Sequence, residues 1–126
     1  MKILHSMIRV KDIDASLKFY QELLGLHVVK KKRLDDCYLY YVSDEDEKYE
    51  IELVINDETP KGGYEIGAGF GHFAFALDSF EEFEAKMKEM GIDYLYEPYQ
   101  LSQVGSTIAF IKDPDGYEIE LIKKNK

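Results

Sequence analysis

The sequence predicts an α+β fold: two tandem βαβββ units forming curved, barrel-like mixed sheets with helices on the outside. Three observations carry that expectation. The pentapeptide Tyr-Glu-Ile-Glu-Leu occurs twice, at 49–53 and 117–121. Each copy closes a half that opens with a histidine, His5 or His72. The second glutamate of each copy lies 47 residues after its histidine in the first half (5 to 52) and 48 in the second (72 to 120). Agreement of that kind marks a duplicated supersecondary unit.

Taken in order, residues 3–10 read as a strand in which His5, Met7 and Arg9 share one face and Leu4, Ile8 and Val10 the other. Asp12 or Asp14 can cap a helix whose Ile13, Leu17, Tyr20 and Leu24 recur at helical spacing, with Gly25 as its left-handed stop. That helix should cover the apolar face. Strands follow at 26–33, at 36–43 with Tyr38, Tyr40 and Val42 alternating, and at 49–56. The acidic run 44–47 is a solvated turn, and His27, just after the helix, is a surface residue. Pro60 and the glycines between 62 and 69 mark a linker. The chain therefore divides into a first half at 1–57, a linker at 58–69 and a second half at 70–126, all within one domain.

The second half repeats the order. Residues 70–77 form a strand containing His72. Ser79 caps a helix with Phe80, Phe83, Met87 and Met90 inward, stopped at Gly91. Strands then fit 93–97, 106–112 and 117–123, the last two joined by the turn Asp113-Pro114-Asp115-Gly116.

A chain of 126 residues, 45% hydrophobic, is one domain's worth of material. Its net charge of -9 repels phosphate backbones and anionic surfaces, which argues against nucleic-acid and membrane partners. One cysteine, Cys37, excludes an internal disulfide and fits a reducing compartment. The opening residues 1–6 lack an apolar signal-peptide region, so the expected location is the cytoplasm.

Within each repeated pentapeptide the two glutamates lie on one strand face and the Ile and Leu on the other. Paired carboxylates and paired histidines in a duplicated frame suggest a metal site. A lone His or strand Glu is ordinarily structural or solvent-facing, but matched positions in a duplication reverse that balance. Alternation does not separate Glu50 from Glu52, or Glu118 from Glu120.

These stretches carry a resemblance. Leu4-His5-Ser6-Met7-Ile8-Arg9-Val10, Ser16-Leu17-x-Phe19-Tyr20, Leu24-Gly25, Gly71-His72 and Asp113-Pro114-Asp115-Gly116-Tyr117-x-Ile119-Glu120-Leu121, in this order and spacing, resemble the glyoxalase I branch of the vicinal-oxygen-chelate superfamily. The likeness covers nearly the whole chain. It implies the glyoxalase fold and a metal held by His5, Glu52, His72 and Glu120, with one divalent ion per site. Nickel is the expected ion, cobalt and zinc being the alternatives. The implied activity is that of lactoylglutathione lyase. The hemithioacetal of methylglyoxal and glutathione, or another small thiol, is isomerised to the S-D-lactoyl thioester through a metal-stabilised enediolate. Glu120 is the implied base and Glu52 its partner.

Arg9 and Asn56 match substrate-binding positions and share a strand face with His5 and Glu52, so either can meet a thiol carrier's carboxylate. Family members often carry a lysine before the penultimate strand, whereas 101–106 contains none. Phe70, Phe110 and Tyr117 are apolar lining or core. The resemblance implies a homodimer with shared sites, although some relatives close both halves within one chain. Rival readings are another metal-dependent enzyme of the superfamily, such as a thiol transferase or dioxygenase, and a metal-free sequestering protein. A sequestering pocket has no use for four charged or protic ligands and would bury them at a cost.

Overall fold

The structure is a computed structural model that describes residues 1–125. Two compact units divide the chain, Met1–Glu65 and Ile66–Lys126. Each contains one four-stranded mixed sheet, and neither sheet closes into a barrel.

The first unit runs β1 (His5–Arg9), α1 (Ile13–Leu17), a π-helical turn (Lys18–Leu23), β2 (His27–Arg33), β3 (Cys37–Ser43) and β4 (Glu50–Asn56). Its sheet order is β1-β4-β3-β2. The parallel β1–β4 pairing is made possible by the intervening crossover, and the other two pairs are antiparallel. Ile8, Val10, Val42 and Leu53 share one face and are buried. The helical segment supplies Ser16, Phe19, Tyr20 and Leu23 as the cover. On the opposite face His5, Met7 and Arg9 are exposed.

Asp12, rather than Asp14, caps the helix: its Oδ1 accepts from the Ala15 amide at 3.1 Å. The regular helix expected to reach Leu24 instead widens after Leu17. The Leu24 amide donates to the Phe19 carbonyl at 3.2 Å, five residues back. This wider turn brings Phe19, Tyr20 and Leu23 inward and leaves Leu17 and Leu24 half-exposed. A pattern counted at 3.6 residues per turn places Tyr20 inward correctly but misplaces Leu17 and Leu24. Gly25 ends the segment with φ +74°, as expected.

The second unit runs β5 (His72–Ala76), α2 (Phe80–Glu89), β6 (Tyr96–Leu101), a 3₁₀ turn (Ser102–Val104), β7 (Ser106–Lys112) and β8 (Glu118–Lys124). Its order, β5-β8-β7-β6, repeats that of the first sheet. Ser79 caps α2 by accepting from the Glu82 amide at 3.2 Å. Met87 is the one fully buried helix residue, with Phe80, Phe83 and Met90 half-buried. Ala109, Ile111, Ile119 and Leu121 form the buried sheet face.

The strand expected at 93–97 lies later, at Tyr96–Leu101, and carries a register irregularity between Tyr96 and Tyr99. Pro98 sits in that irregularity, where its missing N–H breaks no regular ladder. Because β6 is an edge strand, proline marks a bulge there instead of a strand end.

The β7–β8 turn is built as its sequence implies. Asp113 Oδ1 accepts from the amides of Asp115 and Tyr117, each at 2.9 Å. No helix among the described residues is long and apolar enough to cross a membrane.

Candidate metal centre

The duplication reaches the atoms. In the first unit His5 pairs in register with Glu50 and Met7 with Glu52; in the second His72 pairs with Glu118 and Ala74 with Glu120. Yet each histidine reaches past its direct partner to the following glutamate. His5 Nε2 lies 3.2 Å from Glu52 Oε2, and His72 Nε2 lies 3.3 Å from Glu120 Oε1. Glu50 instead lies 3.4 Å from Lys30 Nζ. Geometry thus separates carboxylates that alternation left equivalent.

The surroundings of the two pairs also correspond. Tyr41 is the β3 partner of Glu52, and Phe110 is the β7 partner of Glu120. Each presents its ring to the histidine edge-on, with centroids 5.6 Å apart for His5 and Tyr41 and 5.4 Å for His72 and Phe110. The neighbouring Glu52 carboxylate, with burial, pushes the Tyr41 hydroxyl up to about 12. Glu52 is correspondingly the more enclosed of the two glutamates, at 9% exposure.

Arg9 and Asn56 occupy the same sheet face as His5 and Glu52. Asn56 Nδ2 donates to the Tyr64 hydroxyl at 2.7 Å, which holds the amide from the following loop. Between these polar groups lies an apolar floor of Cys37, Leu39, Tyr41 and Val54. Burial raises the Cys37 thiol above its ordinary range. Phe110 belongs to the second pair's surroundings, whereas Phe70 packs edge-on against Phe73 and the buried Tyr117. His27 is exposed, 3.4 Å from Glu47.

Sequence patterning did not single out Tyr41, Lys30 or Lys32. All three lie on the site face: Lys30 pairs with Tyr41 and Lys32 with Leu39. Their ammonium groups sit 4.5 and 5.7 Å from the Tyr41 ring centroid. Aligning the two halves on their glutamates does not find Tyr41, since it sets Ala109 rather than Phe110 against it; only the strand pairing brings Tyr41 and Phe110 to equivalent places.

Among the described residues no group of three or more His, Cys, Asp or Glu side chains is placed to share an ion. Each unit by itself offers one imidazole nitrogen and one carboxylate oxygen. Two neighbouring ligands on an octahedral ion, each about 2.1 Å from it, lie about 3 Å apart. The separations of 3.2 and 3.3 Å match that spacing. Each pair therefore fits as half of a mixed nitrogen and oxygen donor set for a divalent ion.

Residues 2–121 match the family model described as Glyoxalase/Bleomycin resistance protein/Dioxygenase superfamily. The chain belongs to this superfamily. Within it, the chain is 39% identical over 127 residues to a probable lactoylglutathione lyase of Synechocystis, covering 98% of this chain and 95% of the relative. Glyoxalase I from Zea mays has a similar structure, with a TM-score of 0.84 and 32% identity; the likeness covers 99% of this chain but only 45% of the maize chain. The trypanothione-dependent glyoxalase I of Leishmania major gives a TM-score of 0.81 at 34% identity, over 98% of this chain and 87% of that one. These relatives bear out the expected glyoxalase fold and agree with the expectation of a lactoylglutathione lyase-type enzyme.

Proposed function

We propose that this chain isomerises the hemithioacetal of methylglyoxal and a small thiol to the S-D-lactoyl thioester. It does so in the cytoplasm, as one domain of two halves. His5, Glu52, His72 and Glu120 would hold one divalent ion, nickel before cobalt or zinc, and two chains would share their sites in a homodimer. The supporting observation is that two matched His–Glu pairs sit at ligand spacing in equivalent registers of a chain whose relatives are named lactoylglutathione lyase.

The chemistry a bound divalent ion supplies is stabilisation of negative charge on adjacent substrate oxygens. The protein's own groups move the proton. Glu120 removes it from the carbon bearing sulfur, and a proton is returned to the neighbouring carbonyl carbon with Glu52 on the opposite side. The first carbon rises to the thioester oxidation level while the second is reduced to an alcohol, so no external oxidant or reductant is required.

Arg9 and Asn56, which share the sheet face of His5 and Glu52, would meet a carboxylate on the thiol carrier. Lys30 and Lys32 add positive charge on the same face of β2, which suits an anionic carrier such as glutathione although 101–106 lacks lysine. The Leishmania relative uses trypanothione, so the thiol is to be tested directly.

Metal analysis of the purified protein, followed by thioester absorbance with methylglyoxal and several thiols, tests this reading. Bound divalent ion and thioester formation are expected, with Glu120→Gln retaining most metal and losing turnover. Turnover in Glu120→Gln would remove Glu120 from the mechanism. Metal without isomerisation would favour another enzyme of the superfamily, and absence of metal would favour sequestration.

A further inference from the structure

On the His5 and Glu52 face of the first sheet, charge follows the strand order. From the β1 edge, two neighbouring rows run Met7, Glu52, Tyr41, Lys30 and Arg9, Val54, Leu39, Lys32. Glu52 thus stands mid-sheet and the ammonium groups stand on the far edge, β2. Both lysine arms fold back toward the centre, with Lys30 Nζ 4.5 Å and Lys32 Nζ 5.7 Å from the Tyr41 ring centroid. The two cations are not equivalent. Lys30 is engaged by Glu50, 3.4 Å away. Lys32 is exposed, and among the described residues no carboxylate lies within ion-pair distance of it. Acidic residues outnumber basic ones in this chain, 25 to 16, so an ammonium that none of them reaches is open to an anion from outside.

A hemithioacetal extends from its two reacting carbons in opposite directions. One carries the sulfur and the thiol carrier, and the other carries the aldehyde's own substituent. With the carrier's carboxylate at Arg9 and Asn56, on β1 and β4, the substituent of a substrate reacting beside Glu52 points across Tyr41 toward β2. A methyl group ends short of Lys32 and makes no use of its charge. Neighbouring strands lie about 4.8 Å apart, so β2 is about 10 Å from β4. The folded-back lysine arm closes about half of that distance, and an anion two or three atoms beyond the ketone carbon closes the rest.

We infer that Lys32 is a specificity residue that admits α-oxoaldehydes with an anionic tail, a carboxylate or phosphate, whose hemithioacetals are isomerised here alongside that of methylglyoxal. Tyr41 and Leu39 meet the methylenes of the tail, and Lys32 meets its terminal charge. The bond changes stay the same. A proton leaves the carbon bearing sulfur, a proton is added to the neighbouring ketone carbon, and the product is a 2-hydroxyacyl thioester, with no oxidant or reductant consumed. This inference rests on the isomerase reading and adds a substrate class to it.

The test uses the full chain loaded with nickel, glutathione as the thiol, and methylglyoxal, 4,5-dioxopentanoate or the methyl ester of 4,5-dioxopentanoate as the aldehyde, with thioester absorbance as the readout. The quantity compared is kcat/KM for the acid over kcat/KM for its ester. Any effect of Lys32 on the glutathione carrier is common to acid and ester and cancels in that ratio, as does the difference in their hemithioacetal equilibria between variants. Lys32→Met keeps the arm and removes the charge. Lys31→Met removes the same charge from the opposite face, where Lys31 pairs with Tyr40. The ratio is expected to fall about 2- to 5-fold in Lys32→Met, the range of an exposed ion pair, through KM for the acid, and to stay unchanged in Lys31→Met. The fall should shrink in about 0.5 M salt. An unchanged ratio in Lys32→Met, an equal fall in Lys31→Met, or no turnover of 4,5-dioxopentanoate by the unmodified chain would overturn the inference, while methylglyoxal turnover kept the isomerase reading standing. An unmodified chain that does not isomerise the methylglyoxal hemithioacetal would remove that reading and this inference with it.

Discussion

Replacing Asp113 by alanine tests whether the β7–β8 turn holds Glu120 in register. Asp113 is 5% exposed, and its Oδ1 accepts from the Asp115 and Tyr117 amides at 2.9 Å each. Two main-chain bonds, Asp113 N to Tyr117 O at 2.9 Å and Gly116 N to Asp113 O at 3.0 Å, survive the substitution. The bonds to the carboxylate do not. The Tyr117 amide is buried, so water does not replace its charged acceptor, and the loss costs about 1.5–3 kcal/mol. The Asp115 amide is only partly buried, so water recovers most of its bond and the loss adds about 0.5 kcal/mol. The sum, about 2–3.5 kcal/mol, corresponds to a fall in Tm of about 6–15 °C for a chain of this length. Circular-dichroism melting at matched protein concentration measures it, since self-association would make Tm depend on concentration. Asp113→Asn, which keeps a neutral acceptor, should lose roughly half as much. A shift below about 2 °C in the alanine variant would refute the claim that this carboxylate organises the turn.

Two further outcomes follow from burial and charge. Leu53, fully buried and paired with Ile8 and Tyr40, should cost about 2–5 kcal/mol when cut to alanine; a urea midpoint unchanged from the parent chain would contradict its place in the core. Arg33 grips Asp57 through two bonds of 2.7 and 2.6 Å and holds its carboxyl below the ordinary range. A depressed folded pKa stabilises above the unfolded value, about 3.9, and that stability is lost as pH falls through the folded value. The parent chain should therefore out-melt Asp57→Asn at neutral pH by a margin that shrinks with added salt and vanishes in acid. A margin independent of pH would show that the charge is not its source.

The local signals were the legible ones. Asp12, Ser79, Gly25 and Gly91 end helical segments through bonds and backbone angles that involve only near neighbours, and the 113–116 turn is equally self-contained. The π-helical widening after Leu17 was not legible, because a pattern counted at 3.6 residues per turn assumes a regular helix up to Leu24. Nor was the delayed start of β6, since a proline reads as a stop until its strand is known to be an edge.

The sequence alone determined the duplication, the order of elements and the presence of two histidines and two pairs of glutamates at matched intervals. Those are properties of spacing, and a strand's period of two preserves spacing as facing. Only tertiary structure decided which glutamate meets each histidine. The period of two puts Glu50 and Glu52 on one face, and it takes the neighbouring strands to tell them apart: β1 brings His5 within reach of Glu52, while β2 commits Lys30 to Glu50. Tyr41 was invisible for the same reason. Its place opposite Glu52 depends on the pairing of β3 with β4, and cross-strand register is set by how whole sheets pair rather than by any short run of residues.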